Sequence, residues 1–543
     1  MSNRIYNVLF NTHTVSGIVI SVALYVIFFA GSFSFFRDEI ISWERNEPVK
    51  EAGLNGTNFD QLLDTISFKE PVYGRDITFN QHYEERRVNV SLTPSKDTLA
   101  PEEAATRKFF YMDRENFGTY DYSSNYSIGE FLYRLHFFAQ LNFFGTSGYL
   151  LAGLVAFFFL FAVITGVLVH WNKIVTNFYT FRPWAKLKTM WTDAHTTLGI
   201  LGLPYQFVYA LTGTYLIIST SVMAPPVLTF MYDNDTAKMY EDFGVSTGNY
   251  PMNMEKQQAP VSINALVEKT RDEWKAFKVK TVTVYNYGDT GMHVSVEGVP
   301  SDKRSFTGKG KMVLKASTGE VVYEKSPFRD TSYLDGATNV LQKLHFGDYG
   351  GLGLRIIYFI LGIVSCFVII SGVMIWLVAR DKKNVSEKKK RFNAWVVWIY
   401  LSVCLSIYPA TAITFVGVKA FVQDFDPVRM TRIYEIFFYS WLVLSVLFAI
   451  KRDNYFINKY TLIGGALIGF LVPVVNGVVS GNWLWVTLSA GHYGIFFIDA
   501  FWIVLSVTTL IVGLKLKRKK ERSPVKTTKK TESRQKHLHA EQV

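Results

Sequence analysis

The stretch HTVSGIVISVALYVIFFAGSFSFF, residues 13–36, decides the fold class, because it contains no Asp, Glu, Lys or Arg. An uncharged apolar run of about 18 residues or more predicts a helix that crosses a bilayer. Seven further runs are predominantly apolar and of comparable length. We therefore predict an α-helical polytopic membrane protein with about eight transmembrane helices, at 14–36, 147–170, 197–220, 354–379, 394–418, 434–450, 460–480 and 494–514.

The distribution of basic residues predicts the orientation. Cytoplasmic loops carry an excess of Lys and Arg close to the ends of spans. Such residues cluster after the second, fourth, sixth and eighth spans, at Lys173, Arg182, Lys186, Lys188, 382–391, Lys451, Arg452, Lys459 and 515–522. These segments share one side of the membrane when the amino terminus, with Arg4, is cytoplasmic. The sequence therefore predicts a multi-pass bacterial inner-membrane protein with both termini in the cytoplasm.

Two long segments, 37–146 and 221–353, are then predicted to be periplasmic. In the second, TVTVYN at 281–286 and HVSVEG at 293–298 alternate as strands do, and a hairpin joins 311–317 to 320–325. In the first, strands at 108–112 and 119–122 flank a turn. Helical stretches at 58–68 and 261–277 precede the strands. Each segment is predicted to be a small α+β module.

The rest of the chain follows from these boundaries. The predicted domains are the amino terminus and first span, the first module, the second and third spans with their loop, the second module, the fourth span, a basic cytoplasmic loop, a four-span bundle and a basic disordered tail, at 1–36, 37–146, 147–220, 221–353, 354–379, 380–393, 394–514 and 515–543. The tail is polar and charged, a composition that does not form a core.

An internal repeat relates the first two spans to the next two. HTVSG at 13–17 opens span one and HTTLG at 195–199 opens span three, and a glycine, Gly31 or Gly213, follows each histidine by 18 residues. Five helical turns separate histidine and glycine, so both lie on one helix face. LHF precedes spans two and four, at 135–137 and 344–346. Both copies have the same orientation, so we expect a pseudo-twofold axis along the membrane normal. Spans five to eight lack these signals and resemble an appended bundle.

Composition excludes several classes of function. The net charge of +12 is concentrated beside hydrophobic spans, which is typical of cytoplasmic loops and argues against nucleic-acid binding. The two cysteines, Cys366 and Cys404, lie within apolar spans and form no CxxC pair. Iron–sulfur and structural zinc sites need clustered thiolates, so the sequence excludes both.

Six of the ten histidines lie at the ends of spans. His13, His170 and His195 fall at the predicted cytoplasmic edge, and His136, His345 and His492 at the periplasmic edge. Ionisable residues at membrane depth are costly and default to functional candidates, and neutral imidazole is a ligand for haem iron. The repeat relates His13 to His195 and His136 to His345, so one haem near each face is predicted. Glycines on the histidine faces suit a flat macrocycle.

The alternative interpretation is purely structural. Such histidines can snorkel or hydrogen-bond a loop, and glycines in spans can allow close helix packing. His170 aligns with Trp376 in the other repeat and is an alternative to His13 or His195 as a ligand. Which histidines share one iron stays open. His492 lies outside the repeat.

Two other classes of function compete. Pro204, Pro409 and Pro473 could break helices around a transport site, with Asn476 and Asp499 as polar groups at depth. Against a transporter, the histidines lie away from the midplane, where transporter sites lie. A third hypothesis is a non-enzymatic sensor whose external modules bind a partner.

Read together, LHF before TG and HW, LHFGDYGGLG before SG, and HTxxG opening the partner spans resemble the PepSY-associated transmembrane family over about residues 5–380. The segment KASTGEVVYEK at 315–325 resembles the end of a PepSY module. The resemblance implies an oxidoreductase of the ferric-siderophore reductase type that carries haem b, two per chain, and delivers electrons to periplasmic ferric chelates for iron acquisition. The residues that it implies as haem ligands are His13, His136, His195 and His345, with His170 as a further candidate.

The electron donor is not encoded. We find no GxGxxG after a strand and no Walker motif in any predicted cytoplasmic segment. Membrane quinol or a separate cytoplasmic reductase is therefore the predicted donor. Tyr133, Tyr149 and Tyr349 are candidates to line a chelate site, although such residues more often form the interfacial belt.

Overall fold

The computed structural model describes residues 2–48, 53–81, 83–242, 250–301, 307–328, 333–382 and 384–518. Its helices are α1 Asn3–Ser34, α2 Arg37–Arg45, α3 Phe59–Lys69, α4 Ile128–His136, α5 Ser147–His170, α6 Ile174–Phe178, α7 Leu187–Ile218, α8 Ala224–Met231, α9 Thr236–Asp242, α10 Ile263–Glu273, α11 Tyr333–Phe346, α12 Gly351–Arg380, α13 Glu387–Phe421, α14 Arg429–Ile450, α15 Asn454–Ser480, α16 Leu484–Ser489 and α17 Tyr493–Lys515. Beyond residue 518, the predicted disordered tail lies outside the described residues.

The eight predicted spans are confirmed. Within the described ranges, eight helical stretches are long and apolar enough to cross a membrane, and they contain α1, α5, α7, α12, α13, α14, α15 and α17. Several helices extend past the apolar run. α1 begins at Asn3 and α7 at Leu187, because polar residues at the membrane edge continue the helix. The protein is therefore a multi-span membrane protein.

The three prolines do not interrupt their helices. Pro204, Pro409 and Pro473 lie inside the continuous helices α7, α13 and α15. Neighbouring helices and local adjustments let transmembrane helices tolerate proline. The expectation of broken helices around a central transport site is therefore wrong.

The two external segments form one sheet. Its strands are β1 Ile77–Asn80, β2 Arg87–Leu92, β3 Lys108–Asp113, β4 Thr119–Tyr120, β5 Phe277–Tyr285, β6 His293–Pro300, β7 Gly310–Lys315 and β8 Val321–Lys325. In the described part of the chain they run β4-β3-β2-β1-β5-β6-β7-β8, with all neighbours antiparallel. Each segment contributes four strands, and β1 pairs with β5, with Phe79 opposite Val282. The two predicted modules are thus joined edge to edge.

Helices α3 and α10 confirm the helical stretches predicted before the strands, and their first turns cap one another. The Asp60 carboxylate at the start of α3 accepts the backbone N–H of Ile263 at 2.6 Å. In return, the Asn264 side chain in α10 accepts the N–H of Phe59 at 2.8 Å. Apolar residues of both helices belong to one core with the strands. This reciprocal capping fastens the two modules together.

The first four spans pack as the repeat requires. Helix α1 contacts α5 and α4, and in the second copy α7 contacts α12 and α11. The copies join through α1 with α12 and through α5 with α7. The helices of the last four spans pack on one another, and this bundle meets the rest of the protein at α2, α1, α12 and α4. Sequence patterning missed α4 and α11, which precede spans two and four and pack against α1 and α7.

Candidate functional site

The first pair of histidines lies at the sheet side of the membrane-spanning helices. His136 is the last residue of α4 and His345 lies in the last turn of α11. Their ring centres are 5.9 Å apart. Because α4 and α11 are equivalent elements of the repeat, this arrangement, here called the sheet-side pair, brings together the two histidines that the repeat relates.

The second pair lies near the opposite ends of the same helices. His13 on α1 and His195 on α7 have ring centres 6.2 Å apart, with their planes at 72°. We call them the far-side pair. Each histidine therefore lies beside its own counterpart in the repeat.

The Nδ1 atoms of all four histidines meet hydrogen-bond acceptors on a neighbouring helix. The distances are 2.9 Å from His13 to the carbonyl of Ala162, 2.8 Å from His136 to that of Ile27, 3.0 Å from His195 to that of Val368 and 2.8 Å from His345 to Oγ1 of Thr212. A carbonyl oxygen only accepts, so Nδ1 carries the proton and donates it. The Nε2 lone pair is then available to bind a metal.

A glycine gives the imidazole access to three of these carbonyls. The accepting residue precedes a glycine by four positions in each case, as Ile27 precedes Gly31, Ala162 precedes Gly166 and Val368 precedes Gly372. In a helix the carbonyl of residue i−4 bonds the N–H of residue i, so a side chain at residue i would cover it. A Cβ at Gly31 would lie 2.5 Å from Nδ1 of His136.

The other two glycines leave more room. A Cβ at Gly166 would come within 3.1 Å of the His13 ring, and one at Gly372 within 3.3 Å of the His195 ring. The sequence predicted that such glycines make space for a macrocycle. In the structure, Gly31, Gly166 and Gly372 instead receive the edge of an imidazole from another helix, and Gly213 faces Ala156.

Hydroxyl groups complete two of the contacts. The Thr212 hydroxyl donates to the carbonyl of Val208 at 2.7 Å, and it therefore accepts from His345. The Ser371 hydroxyl lies 3.0 Å from Nδ1 of His195 and donates to the carbonyl of Val368. Sequence reasoning missed both as partners of the histidines, although each directly precedes a glycine of the repeat.

Two glycines remain beside open space. A Cβ at Gly17 or Gly199 would meet nothing within 4 Å. Each lies one helical turn from a histidine of the far-side pair, on the same face.

The spacing of both pairs suits one metal ion between two imidazoles. Two imidazoles that bind opposite sides of one ion at about 2.0–2.1 Å have ring centres roughly 6 Å apart. The observed 5.9 and 6.2 Å agree with this arrangement. In the described residues no group of three or more His, Cys, Asp and Glu forms a metal site. Each pair offers two imidazole nitrogens, a donor set that would hold a haem iron.

The remaining candidate histidines are placed differently. His170 ends α5, and the side-chain amide of Asn177 lies 3.2 Å from its Nδ1. An amide N–H donates, so Nδ1 of His170 accepts and Nε2 carries the proton, the opposite of the four paired histidines. His492 precedes α17 and lines the cavity beside the sheet-side pair.

A cavity of about 1570 Å³ extends from the sheet-side pair to the sheet. The predicted tyrosines Tyr133, Tyr149 and Tyr349 line it with the pair, and the sheet contributes Glu84, Lys278 and Lys280. Ligand pockets for drug-sized molecules occupy about 300–1,000 Å³. The cavity is therefore large enough for a small molecule and a macrocycle.

The sheet wall of the cavity carries excess positive charge. Lys278 and Lys280 both contact one carboxylate oxygen of Glu84, at 2.5 and 3.0 Å. Burial raises the pKa of Glu84, but the two ammonium groups outweigh it and hold the pKa below its usual value. Burial and the neighbouring Lys280 lower the pKa of Lys278. One anion shared by two cations leaves this wall suited to an anionic ligand.

Tyrosine also packs against the sheet-side pair. The Tyr209 hydroxyl donates to the carbonyl of His345 at 2.8 Å, and its ring centre lies 5.0 Å from that of the imidazole. Tyr349 and Tyr358 at the cavity wall have their hydroxyl oxygens 2.9 Å apart. The two Tyr209 contacts fix the orientation of His345 from the side of α7.

Comparison with known proteins identifies the repeated part of the chain. The family model described as the PepSY-associated TM region matches residues 10–379. Among curated proteins, the uncharacterized protein PA4219 of Pseudomonas aeruginosa is 23% identical over 252 residues, which cover 44% of this chain and 61% of that protein. This match therefore spans less than two thirds of that relative. The family model ends at residue 379, before α13.

Proposed function

The chain belongs to the PepSY-associated transmembrane family, and from this premise we propose that it is a haem-b transmembrane electron-transfer protein of the bacterial inner membrane. In this proposal it reduces ferric chelates of the siderophore type in the periplasm for iron acquisition. The family match covers both copies of the repeat, which contain all four paired histidines.

One observation carries the proposal. Two pairs of repeat-related histidines face each other near opposite ends of the same spans, with ring centres 5.9 and 6.2 Å apart and Nδ1 already bonded. Snorkelling histidines would turn their polar atoms towards water, whereas these turn Nδ1 into a neighbouring helix. The donor set, the spacing and the available Nε2 atoms support the proposal that each pair would hold one haem b.

Neighbouring residues of the chain hold and orient the four imidazoles. The acceptors at Ile27, Ala162, Val368 and Thr212 keep each imidazole in one tautomer and one orientation. Such second-shell contacts also raise ligand basicity. Haem b bound at both pairs would supply one-electron redox chemistry near each face of the membrane.

The orientation follows from charge. The far-side pair lies at the end of the spans where the basic loops at 171–188 and 381–391 lie, so we assign that end to the cytoplasm. The sheet and its cavity are then periplasmic. Electrons enter from a quinol or a cytoplasmic reductase and leave at the sheet-side pair.

The cavity is the proposed docking site for the chelate. It joins the sheet-side pair to Lys278 and Lys280, and their positive charge favours ferric chelates with acidic groups. Each Fe(III) takes up one electron to become Fe(II), which binds hard oxygen ligands more weakly, so reduction releases the metal. A transporter is not favoured, because Asn476 and Asp499 bond each other at 2.8 Å within continuous helices.

Absorbance of the purified protein tests the proposal. We expect a Soret band, an α-band that sharpens on reduction with dithionite, and two haems per chain. His345→Ala should reduce the ratio to one, while the matched variant His492→Ala, on the same cavity, keeps two. Colourless protein from cells with adequate haem supply would refute the proposal.

A second measurement tests the substrate. The dithionite-reduced protein, freed of excess reductant, should be reoxidised on mixing with a ferric trihydroxamate or tricatecholate. The gallium(III) complex of the same chelator has a similar shape but accepts no electron, and it should leave the spectrum reduced. A spectrum that stays reduced with every ferric chelate would reject the reductase function while retaining the haem assignment.

A further inference from the structure

Helix α2 joins the first span to the sheet, and the bundle of the last four spans holds it from one side. This bundle, α13 to α17, lies beyond the residues 10–379 that match the family. Helix α2 packs on α17 and on α4, which ends at His136. Three buried charged side chains of the bundle bond to α2 or to the residues that follow it.

Lys419 of α13 caps the carboxyl end of α2. Its ammonium donates to the carbonyls of Trp43 and Glu44 at 2.7 and 3.1 Å and to the side chain of Asn46 at 2.7 Å. The last carbonyls of a helix have no partner within the helix, and a cation there interacts favourably with the helix dipole. Lys419 is only 7% exposed, so water contributes little to this cap.

Arg429 of α14 reaches α4 through Glu44. The two side chains form an ion pair with each 1% exposed, and the other oxygen of Glu44 accepts the N–H of Ile128 at 2.7 Å. Ile128 is the first residue of α4. Arg429 also donates to the carbonyl of Tyr126 at 2.9 Å. The bundle therefore fixes the amino end of the nine-residue helix whose last residue is His136.

Asp499 of α17 holds the other side of α2. Its carboxylate is fully buried and accepts from the indole N–H of Trp43 at 2.7 Å and from the Asn476 amide at 2.8 Å. Trp43 is also fully buried, and Lys419 lies 4.9 Å from its ring centre. One residue of α2 is thus bonded from two helices of the bundle.

These contacts are not explained by a contribution to stability alone. Buried ion pairs repay little of their desolvation cost, and apolar replacements are often at least as stable. Their value lies in geometry, because charge-assisted hydrogen bonds have strict directions. All three side chains converge on α2, and through Glu44 the bonds continue to α4.

We propose that the bundle of the last four spans is a positioning clamp for the sheet-side pair, acting through α2 and α4 on His136. Lys419, Arg429 and Asp499 are its positioning residues. The spectroscopic part of the test rests on the proposed haem ligation, whereas the mechanical part does not. Without the clamp, α4 retains its contact with α1 but loses its fixed amino end.

The test uses the full-length protein and three variants. Lys419→Met removes the cap on α2 and keeps the length of the side chain. Trp43→Phe removes only the indole donor to Asp499. It is the test variant if Lys419→Met does not fold. Lys451→Met is the matched control, because Lys451 is an exposed lysine of the same bundle at its opposite end.

Hydrogen exchange measures the mechanical part. In Lys419→Met or Trp43→Phe, amides of α2 and α4 should exchange roughly tenfold faster, the factor expected when a charge-assisted hydrogen bond is lost. Amides of α5 and α12 and all amides of Lys451→Met should exchange at the wild-type rate. Unchanged exchange in α2 and α4 would overturn the proposal, whether or not the protein contains haem.

Spectroscopy measures the effect on the pair. The ferric low-spin EPR signal and the midpoint potential of the sheet-side haem, assigned with His345→Ala, should shift, while those of the far-side haem stay fixed as an internal control. Equal shifts at both pairs would show general loosening and overturn the clamp. Colourless protein would refute the proposed function instead, and the exchange measurement alone would then decide the clamp.

Discussion

Gly31→Ala is the sharpest single test of how the sheet-side pair is built. The added Cβ would lie 2.5 Å from Nδ1 and 2.7 Å from Cε1 of His136, closer than real Cβ contacts occur. The imidazole must move, and its 2.8 Å hydrogen bond to the carbonyl of Ile27 is lost. Helix α1 itself accepts alanine readily, since alanine is the best helix former.

The magnitude follows from the two contacts. A buried polar group left without its partner costs about 1–3 kcal/mol, and an added methyl group in a packed site costs about 1–3 kcal/mol. Together these amount to roughly 2–6 kcal/mol, or about a 30- to 25,000-fold loss of haem affinity at the sheet-side pair. The far-side pair is unaffected, because Gly31 contacts only His136 among the four ligands.

The assay is the haem-to-protein ratio during dilution with a haem-binding competitor. We expect one haem of Gly31→Ala to dissociate at least 30-fold more readily than in the wild type, with the other retained. Gly464→Ala is the matched control, because a Cβ at Gly464, in α15, would meet nothing within 4 Å. Wild-type retention of both haems by Gly31→Ala would refute the reasoning on the glycine and the carbonyl.

Three other changes test separate parts of the site. His170→Gln should leave the ratio at two haems per chain, because Nδ1 of His170 accepts from Asn177 and its Nε2 carries the proton; loss of the far-side haem in the pyridine haemochrome assay would contradict this tautomer. Thr212→Val keeps the side-chain shape but removes the acceptor of His345, so the midpoint potential of the sheet-side haem should change while the far-side potential stays constant in a redox titration. Glu84 has a lowered pKa, so its stabilising contribution is present above the ordinary value of 4.5 and is lost as the pH falls through its pKa in the folded protein. Thermal unfolding followed from pH 7 to pH 3 should therefore show a weaker acid dependence in Glu84→Gln than in the wild type, and identical slopes would exclude a role for this ion pair.

The membrane architecture was predictable because it is a local property. Predominantly apolar runs such as 13–36 mark each span within one stretch of chain, and all eight were found. The strands at 281–286 and 293–298 were found for the same reason, because they alternate. Strands β1 and β2 were missed, since Ile77–Asn80 has four residues and Arg87–Leu92 begins with a charged residue that is buried in an ion-pair network.

The correspondence between the four paired histidines was also predictable, but for another reason. The repeat placed His13 with His195 and His136 with His345 before any contact was known. The role of the glycines was not predictable. His13 and Gly31 lie on one face of α1, but this does not show that another helix brings His136 against Gly31. The helices α4 and α11 that deliver His136 and His345 were not predicted.

The sequence by itself determined the spans, the repeat and which histidines correspond, because hydrophobicity and repetition are properties of the linear chain. Only the tertiary structure decided which nitrogen of each imidazole is free, that the two modules share one sheet, and that the last four spans hold α2. Each of these depends on partners far apart in the chain, such as His13 and Ala162, which are 149 residues apart. Hydrogen-bond direction and strand pairing are properties of such contacts, so no local pattern encodes them.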